Sequence, residues 1–320
     1  MRRFIELSRI ERLGSAHPDL IELRELATVS ERGRVFPVHG LIIGSKDQSR
    51  PTLGLFGGVH GLERVGTHVV LSFLEMLAAR IHWDRDTRHA LSKTRIVSIP
   101  MINPCGIYFH HRPNANGVDL MRNAPVEAES HVPPLVGGQR ISPRLPWFRG
   151  WGPLEIESAA LIDFVRQQVF PARASLTLDM HSGFGMQDRL WYPYAKSTKV
   201  FSRIDQVSRL IDLLDRTYPH HIYRVEQQSD SYCTNGDLWD YIYELHEARE
   251  DARTRTFLPW TLEIGSWRWV RKNPLQLLRV LGPFNPIKPH RYSRTMRRHL
   301  ILIDFFWKAV RNYERWSGAE

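Results

Sequence analysis

Apolar residues fall along this chain in two rhythms. Short, near-continuous apolar runs occupy 35–43, 52–57, 95–101, 176–180, 222–225 and 260–264, while segments with apolar positions every three or four residues occupy 65–81, 155–170, 200–218, 237–249 and 295–313. The first rhythm predicts strands and the second predicts amphipathic helices. Strands that alternate with helices predict an α/β fold, a mixed and mostly parallel sheet with helices on both faces. In such a sheet, ligands gather beyond the carboxyl ends of the strands. Ahead of the first run, Ile10, Leu13, Leu20, Ile21, Leu23 and Leu26, with Pro18-Asp19 at a helix start, predict a helical lead-in over 1–34. From 125 to 153 the rhythm stops, and prolines, glycines and the aromatics Trp147, Phe148 and Trp151 predict a long ordered loop packed on the core or rimming a cleft. No repeat or linker divides the chain, so 1–320 reads as a single domain.

Composition narrows the class. A chain of 320 residues with 42% hydrophobic content can bury one large core. Its most apolar stretch, 300–310, is broken by Asp304 and Lys308, which speaks against a membrane span. Glu6, Arg9 and Glu11 interrupt the first apolar residues, so no signal peptide is expected. Two cysteines, Cys105 and Cys233, do not suggest a disulfide scaffold, and a reducing cytoplasm is the expected setting. The net charge of +10 favours anionic partners. Basic clusters at 268–272 and 291–299 match no nucleic-acid module and read as solvated faces, so nucleic acid is not an expected partner.

Chemistry enters at Gly57-Gly58-Val59-His60-Gly61-Leu62-Glu63, directly after an apolar run. Paired glycines allow a sharp turn, and His60 and Glu63, three residues apart, can share one Zn²⁺, whose catalytic sites often use two histidines and a glutamate and leave a position for water. Alone, the spacing also suits a solvated loop. The run Leu176-Thr177-Leu178-Asp179-Met180-His181-Ser182-Gly183 repeats the arrangement and offers His181 as third ligand, provided the two strands are neighbours. Hydrolysis at such a metal also needs a base for water, and Glu263, acidic amid the apolar Pro259-Trp260-Thr261-Leu262-Glu263-Ile264, is the candidate. Between these lies a turn-rich segment, 103–123. Its Arg112 suits oxyanion stabilisation, Arg122 suits a carboxylate clamp, and Asp119 suits the ring N–H of a ligand histidine.

In this order His60/Glu63, Asn103-Pro104-Cys105-Gly106, Arg112, Gly117-Val118-Asp119-Leu120-Met121-Arg122-Asn123, His181, Tyr232-Cys233-Thr234-Asn235-Gly236 and Glu263 resemble the motifs of zinc metallocarboxypeptidases of the carboxypeptidase A type, over residues 30 to 270. The resemblance implies an α/β/α sandwich around a mixed, eight-stranded sheet. It implies one zinc ion per chain on His60, Glu63 and His181, with Glu263 activating water and Arg112 polarising the scissile carbonyl. Asp119 would buttress His60, Arg122 with Asn123 would hold the substrate carboxylate, and Tyr232 would close over the substrate. Trp239, just beyond Gly236, is expected to line the specificity pocket and make it shallow. One position departs from the family: where it has Asn beside the carboxylate-binding arginine, this chain has Met121, which donates no hydrogen bond. The absence of a leader further resembles compact bacterial members that trim cell-wall peptides.

The expected activity is therefore zinc-dependent hydrolysis of an amide bond, by a carboxypeptidase or peptide amidase acting on peptides, possible acidic or cell-wall-derived substrates included. Two other readings stay open. One is an N-acyl amino acid deacylase of the aspartoacylase or desuccinylase type. The other is a basic, non-catalytic binding protein with a vestigial zinc site.

Overall fold

A computed structural model describes residues 4–183 and 185–318. Its strands are β1 (Ile21–Glu31), β2 (Arg34–Gly44), β3 (Thr52–Gly57), β4 (Arg95–Ile99), β5 (Ala174–Gly183), β6 (Arg189–Tyr192), β7 (Arg224–Gln227) and β8 (Thr256–Gly265). The helices are α1 (Ile5–Ala16), α2 (Arg64–Trp83), α3 (Arg85–Lys93), α4 (Pro104–Phe109), α5 (Ile156–Gln168), α6 (Ile204–Thr217), α7 (Leu238–Glu247), α8 (Trp267–Lys272) and α9 (Pro289–Arg311). The strands form one eight-stranded mixed sheet in the order β1-β2-β4-β3-β5-β8-β6-β7. β4, β3, β5 and β8 run parallel in its middle. Every residue of β3 and β4 is buried, as expected of strands covered on both faces.

Helices supply that cover. On one face α7 lays Trp239 against Phe56, with ring centroids 5.1 Å apart, and on the other α9 lays Phe306 against Trp260 at 5.8 Å. α2 packs beside α9, burying Val65, Val69, Phe73, Leu77 and Ile81 at helical spacing. The segment 125–153 carries no helix or strand.

The expected helical lead-in is corrected. Only Ile5–Ala16 is helical, whereas Ile21–Glu31 is an edge strand paired antiparallel with β2. Leu20, Leu23 and Leu26 imitate a helical stripe because the strand is irregular: its register shifts between Glu25 and Ala27, and its outer face is polar. Arg32 (φ +49°) and Gly33 (φ +73°) then make a two-residue turn, the local signal that marks a hairpin. β6, only four residues long, was too short to stand out, and α3 carries too few apolar residues. α9 begins at Pro289, ahead of the expected 295, since proline suits the first helical turn.

Candidate metal centre and catalytic cleft

The site forms where β3, β5 and β8 end. Past β3, Gly58 takes a left-handed backbone (φ +69°) that L-residues with a side chain resist, and the chain turns through His60 to Glu63, the residue that opens α2. A Cβ on Gly61 would collide with the Gly106 backbone, so the turn lies flush against α4. β5 is the direct neighbour of β3, with Phe56 opposite Asp179, and β8 flanks β5 with Glu263 opposite His181. The adjacency required of the two histidine-bearing strands is met.

His60, Glu63 and His181 offer ligand atoms that all lie within 4.8 Å of one another, and all three residues are buried. The two Nδ1 atoms stand 3.3 Å apart, His60 Nδ1 is 2.9 Å from Glu63 Oε1, and His181 Nδ1 is 3.2 Å from Glu63 Oε2. Two nitrogens bound tetrahedrally to zinc at ~2.0–2.1 Å sit roughly 3.3 Å apart, so the donor set fits that ion. The far sides of both rings are occupied. His60 Nε2 contacts Asp119 Oδ1 at 2.9 Å, and His181 Nε2 contacts Asp179 Oδ2 at 2.9 Å. Each ring is thereby held with Nδ1 facing the shared point. Electrostatics agrees. Burial would raise the Glu63 carboxyl, yet His60, His181 and Arg112 outweigh it and hold it well below the usual range. Burial would lower His181, yet Asp179 and Glu63 outweigh it and raise it, so this spot favours positive charge.

Arg112 ties the cluster together: Nη1 donates to Glu63 Oε1 at 2.7 Å and Nε to Asp119 Oδ2 at 3.0 Å. Glu263 faces a cavity of about 760 Å³, together with Glu63, Arg112, Tyr232 and Trp191. Burial first, then the Glu63 charge, push its carboxyl up to about 7. Tyr232 packs edge-on to Trp191 at 6.2 Å, and its phenol lies close enough to Arg122 and Arg112 to feel their charge. Arg122 is buried and is not among the residues that line this cavity. The Nε of that guanidinium has no partner among the described residues.

Two expected substrate contacts sit elsewhere. Trp239 does not line the cavity: it is buried, and its Nε1 donates to Asp179 Oδ2 at 2.9 Å, so it steadies the acceptor of His181. Asn123 is spent on structure, its Nδ2 donating to the Arg149 carbonyl and its Oδ1 accepting from the Glu155 amide. Met121 is buried in the core. Asp179 itself escaped the sequence reading, although its signal was there: two residues before His181 on one strand, it shares that side chain's face. Arg189, on β6, and Arg224, on the edge strand β7, both on the cavity wall and both bonded to Glu226, were also missed, since nothing in such short strands announces them.

Comparison with known proteins agrees with this geometry. Residues 7–265 match the family described as zinc carboxypeptidase. The catalytic chain of rat carboxypeptidase N (Rattus norvegicus) is 30% identical over 170 residues, which are 48% of this chain and 35% of that protein. Carboxypeptidase 2 of Trichophyton rubrum is 34% identical over 99 residues, 29% of this chain and 18% of that one. The chain thus spans about a third or less of the length of these relatives. Among solved structures, bovine thrombin-activatable fibrinolysis inhibitor, in complex with a tick carboxypeptidase inhibitor, superposes with a TM-score of 0.67 at 18% identity, over 95% of this chain and 94% of that one. Carboxypeptidase A of Helicoverpa armigera does so with 0.63 at 18%, over 94% and 74%. These similarities set the chain with the zinc carboxypeptidases rather than with the deacylases.

Proposed function

Because the chain belongs to the zinc carboxypeptidase family, we propose that it removes C-terminal residues from peptides, with His60, Glu63 and His181 holding the zinc and Glu263 acting as general base. The observation that carries this reading is the placement of Glu263 opposite His181 at the strand ends, facing the same cavity as Glu63. When bound, zinc supplies a Lewis acid that polarises the scissile carbonyl and lowers the pKa of water. Glu263 takes the proton of the attacking water and delivers it to the leaving amine. Arg112, fixed by Glu63 and Asp119, keeps an unused N–H on Nη1 for the oxyanion.

Arg122 holds the terminal carboxylate. Its buried, incompletely partnered guanidinium supports that role, with the Tyr232 phenol close enough to feel its charge. Arg189 and Arg224, both paired with Glu226, share the cavity wall with Asp230, so it offers both signs of charge to a substrate side chain. The buried, unpaired thiols of Cys105 and Cys233 suit a cytoplasmic setting.

The test is a matched substrate set: a peptide with a free C-terminus, its C-terminal amide, and an N-acyl amino acid. Cleavage of the free acid with little action on the amide is expected. Cleavage of the N-acyl amino acid alone would overturn the peptidase assignment.

A further inference from the structure

Between residues 264 and 303 the chain has nine Lys and Arg and no Asp or Glu, so this stretch carries nine of the ten net positive charges of the whole protein. The structure gathers five of the nine around one pocket. α8 and the start of α9 wall a pocket of about 280 Å³ lined by Arg268, Lys272, Arg291, Arg294, Arg298 and His290. Arg268 is neutralised by Asp188. No carboxylate among the described residues lies within ion-pair distance of Lys272, Arg291, Arg294 or Arg298. Four like charges gathered without compensation repel one another, an arrangement that an anion relieves.

The loop joining the two walls is inside out. In 274–282, Gln276 is 1% exposed and donates from Nε2 to the Gly282 carbonyl at 2.6 Å, whereas Leu275 is 72% exposed, Leu278 84% and Val280 67%. The polar side chain closes the loop from within, and the apolar ones are held outward. Bare apolar tips beside an unpaired cationic pocket are what an anionic lipid surface accepts: leucines enter the acyl boundary while phosphates meet arginines. We propose that this face docks the protein on an anionic phospholipid membrane, with Leu275, Leu278 and Val280 inserted and a lipid phosphate seated among Lys272, Arg291, Arg294 and Arg298. No helix among the described residues is long and apolar enough to cross a membrane, so the attachment is peripheral. It is independent of the hydrolytic reading.

Flotation of the full chain with vesicles tests it. Binding is expected to phosphatidylcholine containing about 30% phosphatidylglycerol, with little to phosphatidylcholine alone and a loss as salt rises. Leu275→Ser/Leu278→Ser should weaken binding by tenfold or more per leucine, on the order expected for exposing a buried Leu. Arg294→Gln/Arg298→Gln should weaken it about thirtyfold, from about fivefold per cation near such a surface. Both variants should hydrolyse a soluble peptide as the parent does, which certifies their fold. In a Leu278→Trp variant, tryptophan emission should shift to the blue on anionic vesicles. No flotation, equal flotation on neutral vesicles, or unaltered flotation of both double variants would overturn the proposal. So would retention on single-stranded RNA without vesicle binding, or a dimer abolished by Leu278→Ser in a protein that ignores vesicles.

Discussion

Asp179→Asn isolates the contribution of a carboxylate that would reach the metal only through the ring of His181. Its Oδ2 accepts from His181 Nε2 and from Trp239 Nε1, both at 2.9 Å, and Oδ1 has no partner among the described residues. An asparagine can keep its oxygen in the Oδ2 position and put its amide where Oδ1 was, so the ring of His181 stays oriented while the negative charge behind it disappears. Loss of such a support lowers zinc affinity 10- to 100-fold, about 1.4–2.7 kcal/mol. The melting temperature of the metal-free protein should stay close to that of the parent. Asp179→Ala behaves differently: it strands the His181 and Trp239 donors in a dry interior, at about 1–3 kcal/mol each, and should lower stability as well. Competition for zinc against a chromophoric chelator gives the affinity, and thermal melts in chelator give the stability. A folded Asp179→Asn protein with the parent zinc affinity would refute the reasoning, because the charge would then be shown not to reach His181.

Four further outcomes follow from the same structure. Glu263→Gln should retain zinc by metal analysis while turnover drops by ~10²-fold or more, the usual scale for loss of a general base. Chelation should abolish peptide hydrolysis and zinc should restore it, as read by a continuous peptidase assay, with Ca²⁺ failing to substitute at a nitrogen-rich site. Glu6, buried against Arg64 and His68, has a carboxyl that burial would raise but those two partners pull down from 4.5 to about 2. Being depressed in the folded state, it contributes about 3 kcal/mol that is fully present above pH 4.5 and vanishes as pH falls through about 2, so the stability gap between parent and Glu6→Gln in urea melts should close over that window. Gly61→Ala would drive a methyl into the Gly106 backbone, and circular dichroism melts should show a loss of at least several degrees along with weaker zinc binding.

The sheet and the three candidate metal-binding side chains were legible in the sequence because their signals are local and dense. A buried parallel strand is a continuous apolar run, and a histidine ending such a run can only emerge at the sheet's carboxyl edge, as His60 and His181 do. What escaped depended on neighbours that the linear order hides. Trp239 reads as a pocket residue by its nearness to Tyr232 and Gly236, but one turn of α7 aims its indole inward at β5. Asn123 beside Arg122 reads as a substrate contact, yet the returning 149–155 segment claims both ends of its amide. β1 was misread because one irregularity in its ladder replaced an alternation with a false helical spacing.

Asp179 and His181 lie on a single strand wedged between β3 and β8, and Glu263 is matched in register to the second of them. Alternation along β5 therefore fixes three functions at once: which way the imidazole faces, what stands behind it, and what stands beside it. Deleting or inserting one residue anywhere from 174 to 178 would turn the imidazole and its support toward the opposite layer together, emptying the centre while leaving an apolar strand that still fits the sheet. Length changes are thus forbidden upstream of His181 on this strand.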